Sequence, residues 1–290
     1  MKKALVLTLL LVSFVFATGC STQRDLITLT VSVQGQGAAE PEGTDDFVKG
    51  SIVELKAIPA SGWQFSKWEG DVAEPFSVQT TVLMERRQTV TAIFVRQAEP
   101  EILTGPGGII TWRADGSPVA RRAQGAADIE YIMLHAISDA AANPGNPYEI
   151  GRIRDIFDDY GVEAHYVIDR DGAIYQFVPD DRIARHAGAG TWKNDPQLTN
   201  AMNRYAIGIE LLGIGTRSEM KNVIGVLANT RVKASDRGYT DAQYLALDQL
   251  LAHLADRYGI PRENIITHHD YDPGRKWDPG DLFDWSRISC

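Results

Sequence analysis

The segment ITHHDYDPGRKWDPG, Ile266 to Gly280, concentrates groups that do chemistry. It holds two adjacent histidines, three aspartates (Asp270, Asp272, Asp278) and, beyond a Pro-Gly turn, Lys276. The chain has only six histidines in all, at 135, 165, 186, 253, 268 and 269. Imidazole and carboxylate are zinc ligands, and a catalytic zinc takes three protein donors while keeping a further position for water. His135 closes the apolar run IEYIMLHA, and His268 or His269 closes ENIITHH, so each can project past the end of a strand. Two such histidines and one carboxylate from the loop that follows would complete a centre, with Asp270, Asp272 and Asp278 all eligible. On these residues alone a charged surface loop explains the segment as well. The chain carries no CxxC, HExxH, Walker or GxSxG pattern, so thiol-metal, nucleotide and serine-hydrolase chemistries have no foothold.

The elements that must position these residues are readable from periodicity. From about Ile109 to Cys290 strands and helices mix, which predicts an α/β domain with helices flanking a mixed central sheet. IEYIMLHA (Ile129 to Ala136) and YAIGIELLG (Tyr205 to Gly213) are short apolar runs expected as buried strands. AHYVIDRDGAIYQFVPD (Ala164 to Asp180) alternates about Asp171-Gly172 and predicts a hairpin. Thr240 to Tyr258 is the clearest helix. Thr240 and Gln243 make a capping box, Leu247, Leu250, Leu251 and Leu254 share one face, and Gly259 with Pro261 ends it. His253 falls on its polar side, where solvation is its simplest fate. ENIITHH is expected as a last strand running through the histidine pair.

Ahead of this lies a smaller all-β domain, residues 27–95, where LITLTVSV, GSIVELKAIPA and QTVTAIFV alternate at period two. Its GWQFSKWEGD stretch resembles the signature of the divergent internalin-type B-repeat. Trp63, Phe65 and Trp68 either stack on sugars or, the favoured reading in so small a domain, fill its core. RQAEPEILTGPGG, residues 96–108, has no period and is expected as a linker.

The first residues read as export machinery. Lys2 and Lys3 precede an apolar run, and Ala17-Thr18-Gly19-Cys20 resembles the lipobox of a bacterial lipoprotein. That resemblance implies removal of residues 1–19, acylation of Cys20, a short tether over 20–26 and an extracytoplasmic, membrane-anchored protein. Ser21 lacks the aspartate tied to inner-membrane retention, which directs the anchor to an outer membrane where the source has one and otherwise to the outer face of the cell membrane. With Cys20 acylated, Cys290 has no intramolecular partner for a disulfide. The net charge of -9 argues against a nucleic-acid partner. The chain is expected to act as a monomer.

YIMLHA, AHYVIDRDGAIYQFVPD, HAGAG, YAIGIELLG, YTDAQYLALDQLLAHLADRYGIP and ITHHDYDPGRKWDPG occur in that order. Together they resemble the type 2 N-acetylmuramoyl-L-alanine amidases, relatives of the peptidoglycan recognition proteins. The resemblance implies a zinc hydrolase that cuts the amide between the muramic acid lactyl group and L-alanine of the stem peptide. It places the zinc ligands on His135, His268 and Asp278, leaving His269 at a free position of H-x-D-x-x-P-G-R-K-x-D-P-G. Glu210 of IGIEL falls on the family's acid and Lys276 on the lysine of the GRK turn. The residue types suit these roles: a carboxylate shuttles the proton of the attacking water to the departing amine, and a fixed cation stabilises the oxyanion. His186 and His165 are implied as substrate contacts, His165 with a purely structural role equally open. Arg185 stands where family members usually have tryptophan. A peptidoglycan-binding or surface-adhesion lipoprotein without catalysis is the alternative reading.

Overall fold

The computed structural model describes residues 25–60, 62–97 and 99–289. The expected leader, lipobox and Cys20 lie outside the described residues.

The N-terminal unit is a sandwich of two sheets. Its strands are β1 (Leu26–Gln34), β2 (Gly37–Glu40), β3 (Gly43–Val48), β4 (Ile52–Pro59), β5 (Trp63–Glu69), β6 (Gln79–Leu83) and β7 (Gln88–Arg96). One sheet runs β3-β1-β7-β5, with β1 and β7 parallel, and the other runs β2-β4-β6. β1 begins inside the stretch read as tether. Alternation delivers Leu29, Val31, Leu55, Val82, Val90 and Phe94 to one shared core. Trp68 lies in it at 2% exposure, with Trp63 and Phe65 packed against it. The indole N–H of Trp68 donates to the Ser77 carbonyl at 3.0 Å, so its polar edge is satisfied inside the fold. The core reading therefore holds for Trp68, while Trp63 and Phe65 pack on that core and stay partly exposed.

The second unit is built on a six-stranded sheet. Its elements are β8 (Ile102–Thr104), β9 (Tyr131–Ile137), α1 (Ile150–Tyr160), β10 (Tyr166–Ile168), β11 (Ile174–Gln176), β12 (Ala206–Leu212), α2 (Arg217–Met220), α3 (Val226–Arg231), α4 (Asp241–Tyr258), β13 (Ile265–Thr267) and α5 (His268–Tyr271). The order is β13-β9-β12-β10-β11-β8, with β13, β9, β12 and β10 parallel and β11 antiparallel to β10. The sheet is mixed, as expected. β9 and β12 are apolar on both faces because both are covered. Ile132, Leu134, Ile207, Ile209 and Leu211 meet Leu247, Leu250, Leu251 and Leu254 of α4. Val167 of β10 points the other way, to Ile153 and Phe157 of α1. These four α4 leucines are fully buried, and truncation of one to alanine costs about 2–5 kcal/mol.

The local signals at α4 act as expected: Thr240 and Gln243 cap it reciprocally, and Gly259 closes it with φ of 68°. The hairpin turns at Asp171-Gly172 between β10 and β11. Three expectations need correction. Part of the 96–108 segment is not linker, because Ile102–Thr104 pairs with β11 as an edge strand. Three residues are too few to show a period. His253 is half-buried with its Nδ1 against the Glu99 carboxylate rather than simply solvated. And β13 stops at Thr267, because Thr267 and Asp270 form a capping box that starts α5 at His268. Helix α1, with Glu149 accepting from the N–H groups of Gly151 and Arg152, was not anticipated at all.

Candidate metal centre

Strand register assembles the site at the carboxyl ends of the parallel strands, where side chains of an open α/β sheet meet solvent. His135 follows Leu134 in β9, so period two turns it to the face opposite α4. Glu210 is its Cα partner on β12 and shares that face. Thr267 pairs with Leu134, so His268 leaves β13 level with His135. Asp278 is returned to the same place by the loop after α5, where the N–H of His269 donates to the Asp278 carbonyl at 3.0 Å.

Three donor atoms converge. Nδ1 of His135 lies 2.9 Å from Nδ1 of His268 and 3.2 Å from Oδ2 of Asp278, which is 3.0 Å from Nδ1 of His268. All three residues are buried. Nε2–H of His268 donates to the Ala187 carbonyl at 2.9 Å, so in the neutral ring its Nδ1 is left with a lone pair directed at the Asp278 oxygen. Nε2 of His135 pairs with Nδ1 of His186 at 3.0 Å. The His268 lone pair and the Asp278 oxygen repel at this spacing unless a cation stands between them. The separations are close to the roughly 3.3 Å between neighbouring ligands of a tetrahedral zinc with bonds of about 2.0–2.1 Å. Two imidazoles and one carboxylate, with the outer ring nitrogens held by a carbonyl and a third imidazole, are a donor set that fits zinc.

The electrostatics agree. Burial, and then the neighbouring His268, push the His135 imidazolium down to about 4, so the ring is neutral near pH 7. Burial opposes charge on Asp278, but the facing imidazoles of His135 and His268 outweigh that and hold the carboxyl well below the usual carboxylate range. Burial and the negative Asp278 raise Glu210 well above its ordinary value, with Lys276 acting against them. Oε2 of Glu210 has no hydrogen-bond partner, a buried acceptor directed into the cleft it lines with His135, His268, Lys276 and Asp278. Lys276 is half-buried, and its ammonium has no ion-pair partner among the described residues.

Of the eight residues singled out in the sequence, His135, His268, Asp278, Glu210 and Lys276 are gathered around one cleft. His186 also lines it, at 8% exposure, but its ring is turned to His135. His165 is wholly buried and satisfied on both sides: Gly208 N–H donates to its Nδ1 at 3.0 Å, and its Nε2–H donates to the Arg182 carbonyl at 3.0 Å. It has no atom to offer a substrate, which corrects its reading as a contact and leaves the structural role. Cys20 lies outside the described residues. His269 is exposed and apart from the cluster.

Sequence reasoning passed over Gly208. A Cβ there would stand 2.5 Å from Cγ of His186, so only glycine lets the His186 ring lie against β12. A glycine inside the otherwise apolar strand AIGIELL was the available signal, since it marks close approach of another group. Ala187, which serves through its carbonyl, left no signal of that kind.

Comparison with known proteins agrees with the geometry. The family described as N-acetylmuramoyl-L-alanine amidase matches residues 125–281, more than half of the chain, and the divergent InlB B-repeat domain matches residues 27–98. The chain is similar to the 1,6-anhydro-N-acetylmuramyl-L-alanine amidase AmpD of Escherichia coli (strain K12), 37% identical over 127 residues, which cover 44% of this chain and 56% of the relative. It is 34% identical over 116 residues to the N-acetylmuramoyl-L-alanine amidase AmiD of Escherichia coli (strain K12), covering 40% of this chain and 37% of that one. The chain thus spans about half the length of the AmpD relatives it matches. Among solved structures, a crystal structure of an AmpD derivative aligns with a TM-score of 0.46 at 28% identity, over 66% of this chain and 93% of that chain. The AmiD complex with anhydro-N-acetylmuramic acid-L-Ala-D-gamma-Glu-L-Lys aligns at 0.42 and 28%, over 55% and 56%. The chain belongs to the N-acetylmuramoyl-L-alanine amidase family.

Proposed function

We propose that this protein hydrolyses the amide bond between N-acetylmuramic acid and L-alanine in peptidoglycan or muropeptides, using one zinc ion held by His135, His268 and Asp278. The observation that carries the reading is the convergence of three ligand atoms within 3.2 Å beside an unpartnered carboxylate oxygen of Glu210. A pure binding protein has no need of that combination. The AmpD and AmiD relatives are amidases of this linkage, which supports the same bond as the target.

Zinc supplies Lewis acidity to the scissile carbonyl and to the attacking water, and its charge favours the ionised form of Glu210. Glu210 takes a proton from the water as its oxygen attacks the carbonyl carbon. The C–N bond then breaks, and Glu210 returns the proton to the departing α-amino group of alanine, leaving a lactyl carboxylic acid and a free peptide. The Lys276 ammonium stabilises the negative charge that develops on the carbonyl oxygen. His186 and the Ala187 carbonyl orient the two imidazoles through their outer ring nitrogens.

Incubation of the purified protein with murein tests this directly. Mass spectrometry should find stem peptides with a new free alanine N-terminus; their absence sinks the proposal, and new reducing sugar ends would mark a glycosidase instead. The same reading has Cys20 acylated, the monomer anchored to a membrane outside the cytoplasm, and the 27–95 unit acting as spacer or wall-binding module. Palmitate labelling lost in Cys20→Ala tests the anchor. Deletion of residues 27–95 tests the unit, with hydrolysis kept and wall attachment lost as the expected result.

A further inference from the structure

His269 takes no part in the metal cluster, yet it is the residue that ties the loop after α5 back to the helix. Two bonds do this. Its backbone N–H donates to the Asp278 carbonyl at 3.0 Å, and its side-chain Nδ1–H donates to the Lys276 carbonyl at 2.6 Å. Any residue but proline can make the first. The second needs a side-chain donor at this position. The split between the two neighbouring histidines follows from α5 being helical: successive side chains turn by about 100°. His268 faces the cluster, and His269 faces the loop.

Elsewhere this loop is held at its base. The N–H groups of Arg275 and Lys276 donate to the Asp272 carbonyl at 3.2 and 2.9 Å, and Asp272 N–H donates to the His268 carbonyl at 2.9 Å. The Lys276 side chain has no hydrogen-bond or ion-pair partner among the described residues. Its ammonium is therefore placed by the backbone of residue 276, and the carbonyl there is gripped by His269. A lysine stem is flexible and rich in rotamers, so an anchored backbone limits the volume its charge explores.

We propose that His269 is a positioning residue that clamps the Lys276 backbone so that the ammonium stands over the cleft. The inference rests on reading Lys276 as the group that stabilises the oxyanion. The clamp works in the Nδ1–H neutral ring and in the imidazolium alike, since both keep that donor.

The test uses the full-length, zinc-loaded protein and its His269→Ala, His269→Asn, Lys276→Ala and His269→Ala/Lys276→Ala variants. Zinc content, kcat and KM on one muropeptide are measured for each. His269→Ala keeps the backbone bond to Asp278, so zinc content and KM stay within about twofold, while kcat falls roughly tenfold as the cation loses its position. His269→Asn, whose amide N–H can donate in the same direction, recovers most of that loss. In the double variant kcat equals that of Lys276→Ala, because nothing remains to be positioned. Multiplied losses in the double variant, zinc loss in His269→Ala, or His269→Asn as impaired as His269→Ala would each overturn the clamp. Wild-type kcat in Lys276→Ala sinks the reading of Lys276 itself, whereas wild-type kcat in His269→Ala beside an impaired Lys276→Ala sinks the clamp alone.

Discussion

Nδ1 of His135 and Nδ1 of His268 lie 2.9 Å apart, although 133 positions separate the two residues in the chain. Oδ2 of Asp278 is within 3.2 Å of both. The His268 proton is on the outer nitrogen, donated to the Ala187 carbonyl, so in the neutral ring the inner nitrogen and the Asp278 oxygen face each other as electron pairs. Their mutual repulsion makes the cluster a cost to the fold in the absence of a cation and a source of stability in its presence.

Removal of the metal should therefore do two things. Chelation is expected to abolish hydrolysis and to lower the thermal unfolding midpoint, with both restored by added zinc. His268→Ala should bind zinc more weakly by more than the roughly 10–100-fold that loss of an outer partner costs. Metal analysis after dialysis against a graded zinc buffer measures this, and unchanged zinc retention in His268→Ala would falsify the ligand assignment.

Glu210→Gln isolates the proton shuttle. The amide is nearly isosteric but takes up no proton, so kcat should fall about 10²–10⁴-fold. Zinc content and muropeptide affinity, followed by calorimetry, should persist. If affinity is lost along with turnover, Glu210 serves binding rather than proton transfer.

Gly208→Ala puts a methyl group 2.5 Å from the His186 ring. Strain of this kind costs about 1–3 kcal/mol. The displaced His186 would also release Nε2 of His135, weakening zinc about tenfold. Gly145→Ala, where nothing lies within 4 Å of the added atom, is the control and should be neutral. Urea unfolding and zinc titration of the two variants decide the matter, since equal behaviour would mean that the ring moves aside at no cost.

His165 sets a pH dependence. Burial, and then the neighbouring Arg122, push it down to about 4 from 6.5. Between those values the unfolded chain carries the extra proton, so stability is full above pH 6.5 and is lost as pH falls toward 4. The difference corresponds to about 3 kcal/mol. Urea midpoints of metal-stripped protein from pH 4 to 7 should show this slope, reduced by that amount in His165→Gln. Parallel curves for the two proteins would assign the proton to another group.

How far the chain's own letters carried these conclusions differs from element to element. Helix α4 was foreseeable in detail because a capping box, a leucine stripe and a terminal glycine are all features of neighbouring residues. The two central strands and the hairpin were equally local. The boundary between β13 and α5 was misread because alternation runs smoothly through Ile265, Ile266 and Thr267 into the histidines. The Thr267–Asp270 capping box, visible in the sequence, was the signal that a helical turn begins there. Strand β8 left no comparable signal, since its pairing to β11 depends on a residue stretch about seventy positions away.

The candidate site divides in the same way. Residue types in ITHHDYDPGRKWDPG already limited the chemistry to imidazole, carboxylate and ammonium groups, because those types are written locally and need no fold to be recognised. Resemblance between ordered motifs named His135, His268, Asp278, Glu210 and Lys276. What local pattern could not supply was the division of labour among histidines of equal chemistry. Parallel register set His135 level with Glu210 and aligned the end of β13 with it, and the turn of α5 sent His268 inward and His269 toward Lys276. The same packing enclosed His165 and pressed His186 against Gly208. An imidazole is ligand, orienting partner, clamp or buried strut according to what faces each of its nitrogens, and those neighbours come from strands and loops distant in sequence.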